Sequence, residues 1–149
     1  TSGVLLFALN PEAAALLKTD FNDQKIEKKY ITVARGYTPE QDLIDNPIRP
    51  DKDHQHKKPK DAQTRYKRLA TIELKIPVGR YQTSRYSLVE AEPLTGRMHQ
   101  IRKHFAHIRH YIVGDKRHGD WRHNQMFKTL DGAEESEYGA AFQAVLLGS

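Results

Sequence analysis

The chain has 149 residues, which is enough for one domain with its own core and too few for two. Its 24 Lys and Arg outnumber 19 Asp and Glu, and the net charge of +5 favours a polyanionic partner without specifying one. It contains no cysteine, which excludes disulfides, a thiolate nucleophile and Cys-based zinc sites and fits a cytoplasmic protein. The longest apolar run, 4–9, is far shorter than the roughly 20 residues of a membrane helix, so we expect no membrane association.

The N-terminal part predicts a strand followed by a helix. Residues 3–9 form a continuous apolar run of the kind found in buried strands. Asn10 and Pro11 then match the N-cap and first position of a helix, which Asn22 and Asp23 would end. The residues expected to form the buried face of this helix are Ala13, Leu16, Leu17 and Phe21.

Next come a predicted strand and a predicted loop. Residues 28–36 alternate in the manner of a half-buried strand, with Tyr30, Thr32 and Ala34 on one face. Residues 47–62 are rich in charge and contain Pro50 and Pro59, so we expect a mobile loop that contributes nothing to the core.

The central part predicts an antiparallel strand pair and a helix. Residues 64–76 and 84–92 alternate like strands, and 77–80 between them has turn chemistry. Residues 93–96 break the second strand, and apolar side chains then recur at helical spacing. The residues of this stripe, which we expect to pack in the core, are Met98, Ile101, Phe105 and Ile108.

The same helix carries the polar residues that could act on a ligand. Arg97 and Arg102 lie on the two flanks of the apolar stripe, where a guanidinium can pair with a carboxylate or a phosphate. A solvated basic helix is the simpler alternative. The residues expected to face outward are His99, Gln100, Lys103 and His107.

His104, His107 and His110 recur at intervals of three, but without a His-Glu-x-x-His pair they do not predict a metal site.

Three separated segments resemble the motifs of RluA-type pseudouridine synthases. They are Thr1-Ser2-Gly3, Lys28-Lys29-Tyr30 and the run 94–102 (Leu-Thr-Gly-Arg-Met-His-Gln-Ile-Arg), which Gly114-Asp115 follows. They occur in the family's order, and the similarity extends to about Asn124. The stretches most similar to the branch that modifies U65 of tRNA are 79–86, 106–110 and 116–120.

The resemblance implies roles for individual residues. Tyr30 matches the active-site tyrosine that packs against the target base, and Arg102 matches the arginine that pairs with the catalytic aspartate. The RNA-binding residues are expected to be Arg97, His99, Gln100 and Lys103. The family's first motif places the nucleophilic aspartate three positions before Thr1, so we expect a chain truncated at its N-terminus and inactive alone. Asp115 and Asp120 are explained by turn formation.

The predicted fold is therefore α+β: a partial pseudouridine synthase catalytic domain over residues 1–149, with a mainly antiparallel mixed sheet flanked by helices. We expect a cytoplasmic, monomeric enzyme that acts on tRNA without a metal or organic cofactor. Two alternatives stay open at this point. The chain could be a non-catalytic RNA-binding remnant that lost the nucleophile, or part of a synthase that acts on ribosomal RNA.

Overall fold

The computed structural model describes residues 4–50 and 58–131, and within them it has the predicted α+β composition. The elements in chain order are α1 (Pro11–Asn22), β1 (Tyr30–Arg35), β2 (Gln41–Asp45), β3 (Gln63–Leu74), β4 (Ser84–Pro93), α2 (Gln100–His107) and α3 (Trp121–Asp131). None of the helices in these ranges is long and apolar enough to cross a membrane.

The four strands form one antiparallel sheet in the order β1-β4-β3-β2. The long β3–β4 pair confirms the strand pair predicted from the sequence. In the connection between them, Gly79 has φ of +63°, a conformation that glycine adopts without steric cost. The backbone of Val78 and Tyr81 pairs across this turn.

A β-bulge in β3 decides which face of the sheet the side chains after it occupy. The pairing with β4 shifts between Arg68 and Ala70, so one extra residue, Leu69, is inserted. In a regular strand Tyr66 and Ile72 would share a face, because side chains alternate with a period of two. The insertion instead places them on opposite faces. One face receives α2 and the other receives α3.

Each face of the sheet has its own hydrophobic core. On the α2 side Tyr66 packs against Phe105, with ring centroids 5.5 Å apart, and Ala34 and Val89 are buried beside them. On the α3 side the buried residues are Leu74, Tyr86 and Phe127. Burying one such large apolar side chain stabilises a fold by about 1.5–3 kcal/mol, so these contacts fix both helices on the sheet.

Two predictions for the N-terminal part are wrong. Residues 4–9 form no strand, and all their large apolar side chains are exposed. Helix α1 begins at the predicted cap, where the Asn10 side chain accepts a hydrogen bond from the Ala13 amide, but it buries none of its residues. The physical reason is the same for both: an apolar pattern is buried only against a partner, and the described residues supply none for this segment.

The predictions for 47–62 and for the stripe of α2 need correction at particular residues. Ile48 and Ala62 are buried, so this stretch does contribute to the core, and the Ile48 and Lys60 backbones pair. The charged segment 51–57 lies outside the described residues, as does the chain after residue 131. In the predicted stripe, Phe105 is buried, but Met98 precedes α2 and is exposed.

Candidate functional site

The start of α2 is fixed by a buried glutamine. The side-chain amide of Gln100 donates to the Gln63 carbonyl at 2.8 Å and to the Thr64 hydroxyl at 3.0 Å. Its oxygen accepts from the Thr95 hydroxyl and the Arg97 amide. The prediction that Gln100 faces outward is therefore wrong, because its polar atoms complete hydrogen bonds that the strand ends and the preceding turn would otherwise lack. Gln100 positions the turn.

Around this turn, three of the predicted contact residues lie nearer the surface: Arg97, His99 and Lys103. The Arg97 Nε donates to the Asp61 carbonyl at 3.0 Å. His99 precedes α2 with a φ of +55°, and its ring lies 5.7 Å from the ring of His118. Such a left-handed conformation is uncommon outside glycine and directs the chain sharply into the helix. All three of these side chains are partly exposed.

Arg102 lies in the first turn of α2 and forms a two-pronged ion pair with Asp115. Its Nε donates to Asp115 Oδ2 at 2.8 Å, and its Nη2 donates to Oδ1 at 2.6 Å. The Asp115 side chain is only 3% exposed, whereas that of Arg102 is 35% exposed. Such a planar fork fixes the direction of the guanidinium and leaves Nη1 outside the fork. Arg102 is thus presented in a defined orientation.

Asp115 is held in turn by the backbone that follows it. Its Oδ1 also accepts hydrogen bonds from the amides of Arg117 and His118, which confirms the predicted turn. Burial alone would raise the pKa of Asp115, but the hydrogen bonds from Arg102 and from these amides outweigh it and lower the pKa to about 2. The carboxylate is therefore ionised throughout the neutral range. Sequence reasoning missed its pairing with Arg102, since 13 positions separate them.

The other predicted turn aspartate, Asp120, behaves similarly at the start of α3. Its Oδ1 accepts from the Arg122 amide at 3.0 Å, as expected for a turn. Its Oδ2 pairs with the Arg35 guanidinium at 2.9 Å. Since both of its oxygens bond to protein groups, Asp120 ties the end of β1 to α3.

Tyr30 is the first residue of β1 and pairs with Ala91 of β4. It shares its face with Ala34, which packs in the α2-side core, as the predicted alternation requires. About half of its surface, 49%, is exposed. An exposed aromatic ring can stack on a nucleobase. No hydrogen bond links Tyr30 to Arg102 within the described residues.

The histidines of α2 and of the turn after it fall into two groups. Some form hydrogen bonds within the fold, and others are exposed. His104 is buried and bonds through its two ring nitrogens to the Thr64 hydroxyl and the Asn46 carbonyl. His110 Nδ1 bonds to the Arg35 carbonyl, while His107 is exposed. In residues 4–50 and 58–131 no three His, Cys, Asp or Glu side chains are grouped so as to hold a metal ion.

Beside the Arg102–Asp115 pair lies an open groove of about 780 Å³. One wall is the backbone segment 46–50, and the other is formed by Lys103, Arg117 and His118. Arg49, Lys103 and Arg117 make the groove at this end of α2 cationic. The fold and site define an α+β domain with a cationic site suited to a polyanionic ligand.

The chain belongs to the RNA pseudouridylate synthase family, whose pattern it matches over residues 1–107. This confirms the family predicted from the three motifs. It is 45% identical over 132 residues to tRNA pseudouridine synthase C of Salmonella typhimurium, covering 84% of this chain and 51% of that protein. The protein of the same name from Haemophilus ducreyi is 45% identical over 138 residues, covering 89% and 57%. The chain spans about half the length of these curated relatives.

Solved structures show the same fold. Human RNA Pseudouridylate Synthase Domain Containing 1 superposes with a TM-score of 0.63 at 26% identity, covering 75% of this chain and 48% of the human one. Human RNA Pseudouridylate Synthase Domain Containing 4 gives a TM-score of 0.56 at 22% identity, which supports the fold alone. The expected pseudouridine synthase fold is confirmed.

Proposed function

We propose that the protein containing this chain converts one uridine of tRNA, U65, into pseudouridine. Relatives 42–45% identical to most of this chain carry the name tRNA pseudouridine synthase C. The structural observation that carries the proposal is the anchored Arg102. A guanidinium with fixed orientation and partial exposure, at the edge of a basic groove, suits a site that handles both a carboxylate and a phosphodiester chain.

The reaction rearranges bonds within one nucleotide. The glycosidic bond between C1′ and N1 breaks, the uracil turns, and a bond forms between C1′ and C5. The proton leaves C5, and N1 gains one, so atoms and charge balance without an electron donor or a second substrate. The proposal accordingly includes no metal or organic cofactor. A carboxylate acting on the sugar or removing a proton from it is the nucleophile or base that such a step needs.

Within this proposal that carboxylate is an aspartate that precedes Thr1 in the longer protein. Arg102 would pair with it in the orientation that its fork with Asp115 sets. The pairing keeps the aspartate ionised, as a cation within about 4–6 Å favours the charged form of a carboxyl group.

Tyr30 is proposed to pack against the target base and to assist removal of the C5 proton. Its half-exposed ring at the start of β1 supports the stacking role. Arg97, His99 and Lys103 are proposed to contact the RNA, since all three lie at the partly exposed start of α2. Gln100 acts indirectly, by holding the turn that carries Arg97.

We further propose one catalytic domain that works as a monomer in the cytoplasm. The continuous sheet joins residues on both sides of the 51–57 segment, which supports a single domain. The enzyme would extrude its target uridine from the RNA stack, because the sugar and base must both be reached.

Pseudouridine mapping tests the substrate. Cells that lack the gene should lose pseudouridine at U65 of tRNA and regain it when the gene is restored. Loss from ribosomal RNA instead would identify the alternative substrate. If pseudouridine is unchanged in all RNA while the purified protein still binds tRNA, the non-catalytic remnant would be supported and the proposed activity rejected.

A further inference from the structure

The basic groove beside Arg102 has two walls that the fold holds in place independently. His104 bonds to the Asn46 carbonyl at 2.9 Å, and Ile48 is buried, so the wall formed by 46–50 is tied to the core. On the opposite side, Asp115 fixes the backbone of Arg117 and His118. The Lys103 Nζ reaches across to the Arg49 carbonyl at 3.0 Å. The groove is therefore a pre-formed feature of the fold.

Cationic side chains lie on both walls of this groove. Arg49 belongs to one wall, and Lys103 and Arg117 belong to the other. A groove of this volume that is open to solvent can accommodate a segment of polymer. Cations on two walls can neutralise phosphates of a nucleic-acid strand that lies between them.

The groove is also continuous with the proposed catalytic site. Lys103 follows Arg102 directly in α2, and the amides of Arg117 and His118 bond to the same carboxylate that orients Arg102. A strand whose target nucleotide is extruded beside Arg102 must carry its neighbouring phosphates into this region.

We infer that the groove between 46–50 and 117–118 binds the phosphodiester backbone of the RNA strand next to the target nucleotide, through Arg49 and Arg117 from opposite walls. This rests on the proposed function and adds to it a defined backbone subsite. Neither arginine is among the active-site or RNA-binding residues assigned above, so the subsite adds two new contacts to the proposed site. His118 contributes a ring that lies between the groove and His99.

The experiment uses the protein containing this chain and a short tRNA stem-loop with the target uridine. The dissociation constant is measured by fluorescence anisotropy between 50 and 300 mM KCl for wild type, Arg49→Ala and Arg117→Ala. Each arginine that contacts a phosphate contributes about 0.7–0.9 to the slope of log K against log salt. For each variant we expect a dependence on salt that is shallower by roughly that amount. We also expect the affinity at low salt to fall about 3- to 10-fold.

The matched control is Arg65→Ala, which removes one exposed positive charge from β3. Arg65 alternates with the buried Thr64 and Tyr66 and pairs with Glu92, so it lies on the other face of the sheet. It should keep the wild-type affinity, slope and turnover. If Arg65→Ala changes the slope as much as the groove variants do, only net charge matters and the subsite is refuted.

Neutral phosphate analogues locate the contact. Methylphosphonate linkages introduced singly on either side of the target uridine should weaken binding to wild type several-fold at one or two positions. The same linkages should have no further effect on Arg117→Ala or Arg49→Ala. If the linkage and the arginine substitution each weaken binding and their effects add, the inference is overturned.

A separate measurement distinguishes failure of the groove from failure of the proposed function. Tritium release from C5-labelled tRNA reports the isomerisation alone. Normal release by wild type, with binding slopes unchanged in both groove variants, would reject the subsite while the activity stands. Absence of release together with altered slopes would support the subsite and reject the activity. If uridine 5′-monophosphate competes for binding as well as the stem-loop does, the groove is a simple anion site and the inference is rejected.

Discussion

The buried ion pair between Arg102 and Asp115 allows the sharpest stability prediction. Asp115→Asn keeps the size of the side chain but removes its charge. The fall of the Asp115 pKa from 3.8 to about 2 corresponds to roughly 2 kcal/mol of stabilisation at neutral pH. Removing one partner of a fully buried pair costs more, about 3–5 kcal/mol, but the Arg102 side chain is 35% exposed and water screens it. We therefore expect a loss of about 2 kcal/mol.

The pH dependence of this loss follows from the sign of the shift. Because the pKa of Asp115 is lower in the folded state, its stabilisation is complete well above pH 4 and declines as pH falls toward 2. The difference between wild type and Asp115→Asn should be about 2 kcal/mol at pH 7 and roughly half of that at pH 3.

Urea unfolding of both proteins at the two pH values measures this difference. Asp42→Asn, a change at an exposed position of β2, serves as the control and should stay within about 0.5 kcal/mol of wild type at pH 7. An Asp115→Asn protein as stable as the control, or one whose deficit is equal at pH 7 and pH 3, would refute the reasoning.

Further predictions concern the buried polar contacts and Arg102. Tyr86→Phe removes the hydroxyl that lies 2.6 Å from His123 Nδ1, and we expect urea unfolding to show a loss of about 1–2 kcal/mol. Burial lowers the pKa of both His123 and His104 below 6.5. The unfolded chain therefore takes up protons first, and the melting temperature should fall between pH 7 and pH 5; an unchanged melting temperature would contradict this. Gln100→Ala leaves several buried partners unpaired and should cost about 2–3 kcal/mol in the same unfolding assay. Arg102→Lys should keep most of the tRNA affinity yet lose turnover, as measured by anisotropy and tritium release, because an ammonium cannot replace the fork.

The features that sequence reasoning predicted correctly depend on local chemistry. Asn10 and Pro11 begin α1 because a cap and a proline act within one helical turn. The β3–β4 pair was predictable from alternation on both sides of a turn that contains Gly79. The face of Tyr30 was predictable from the alternation in β1. The active-site roles of Tyr30 and Arg102 rest on the resemblance and stay predictions.

The features that sequence reasoning missed depend on distant parts of the chain. The bulge at Leu69 leaves no local pattern, yet it decides that Tyr66 and Ile72 face different helices. The orientation of Gln100 was wrong because helical periodicity cannot show that strand ends need its amide. The same limit hid the pairing of Asp115, whose position suggested only a turn.

The exposed N-terminal segment shows a third limit. An apolar run such as 4–9 reports a tendency to be buried but not the surface that buries it. The same holds for α1, which has the predicted cap and length but no buried face in the described residues.

The central proposal is that the protein containing this chain isomerises uridine in tRNA with Arg102 in its active site. The most direct measurement is tritium release from C5-labelled tRNA by the protein containing this chain, compared with its Arg102→Ala variant. We predict release of one tritium per tRNA by wild type and none by Arg102→Ala, with the tRNA affinity of the variant largely retained. Equal release by both proteins, or no release by wild type from a tRNA that it binds, would contradict the claim.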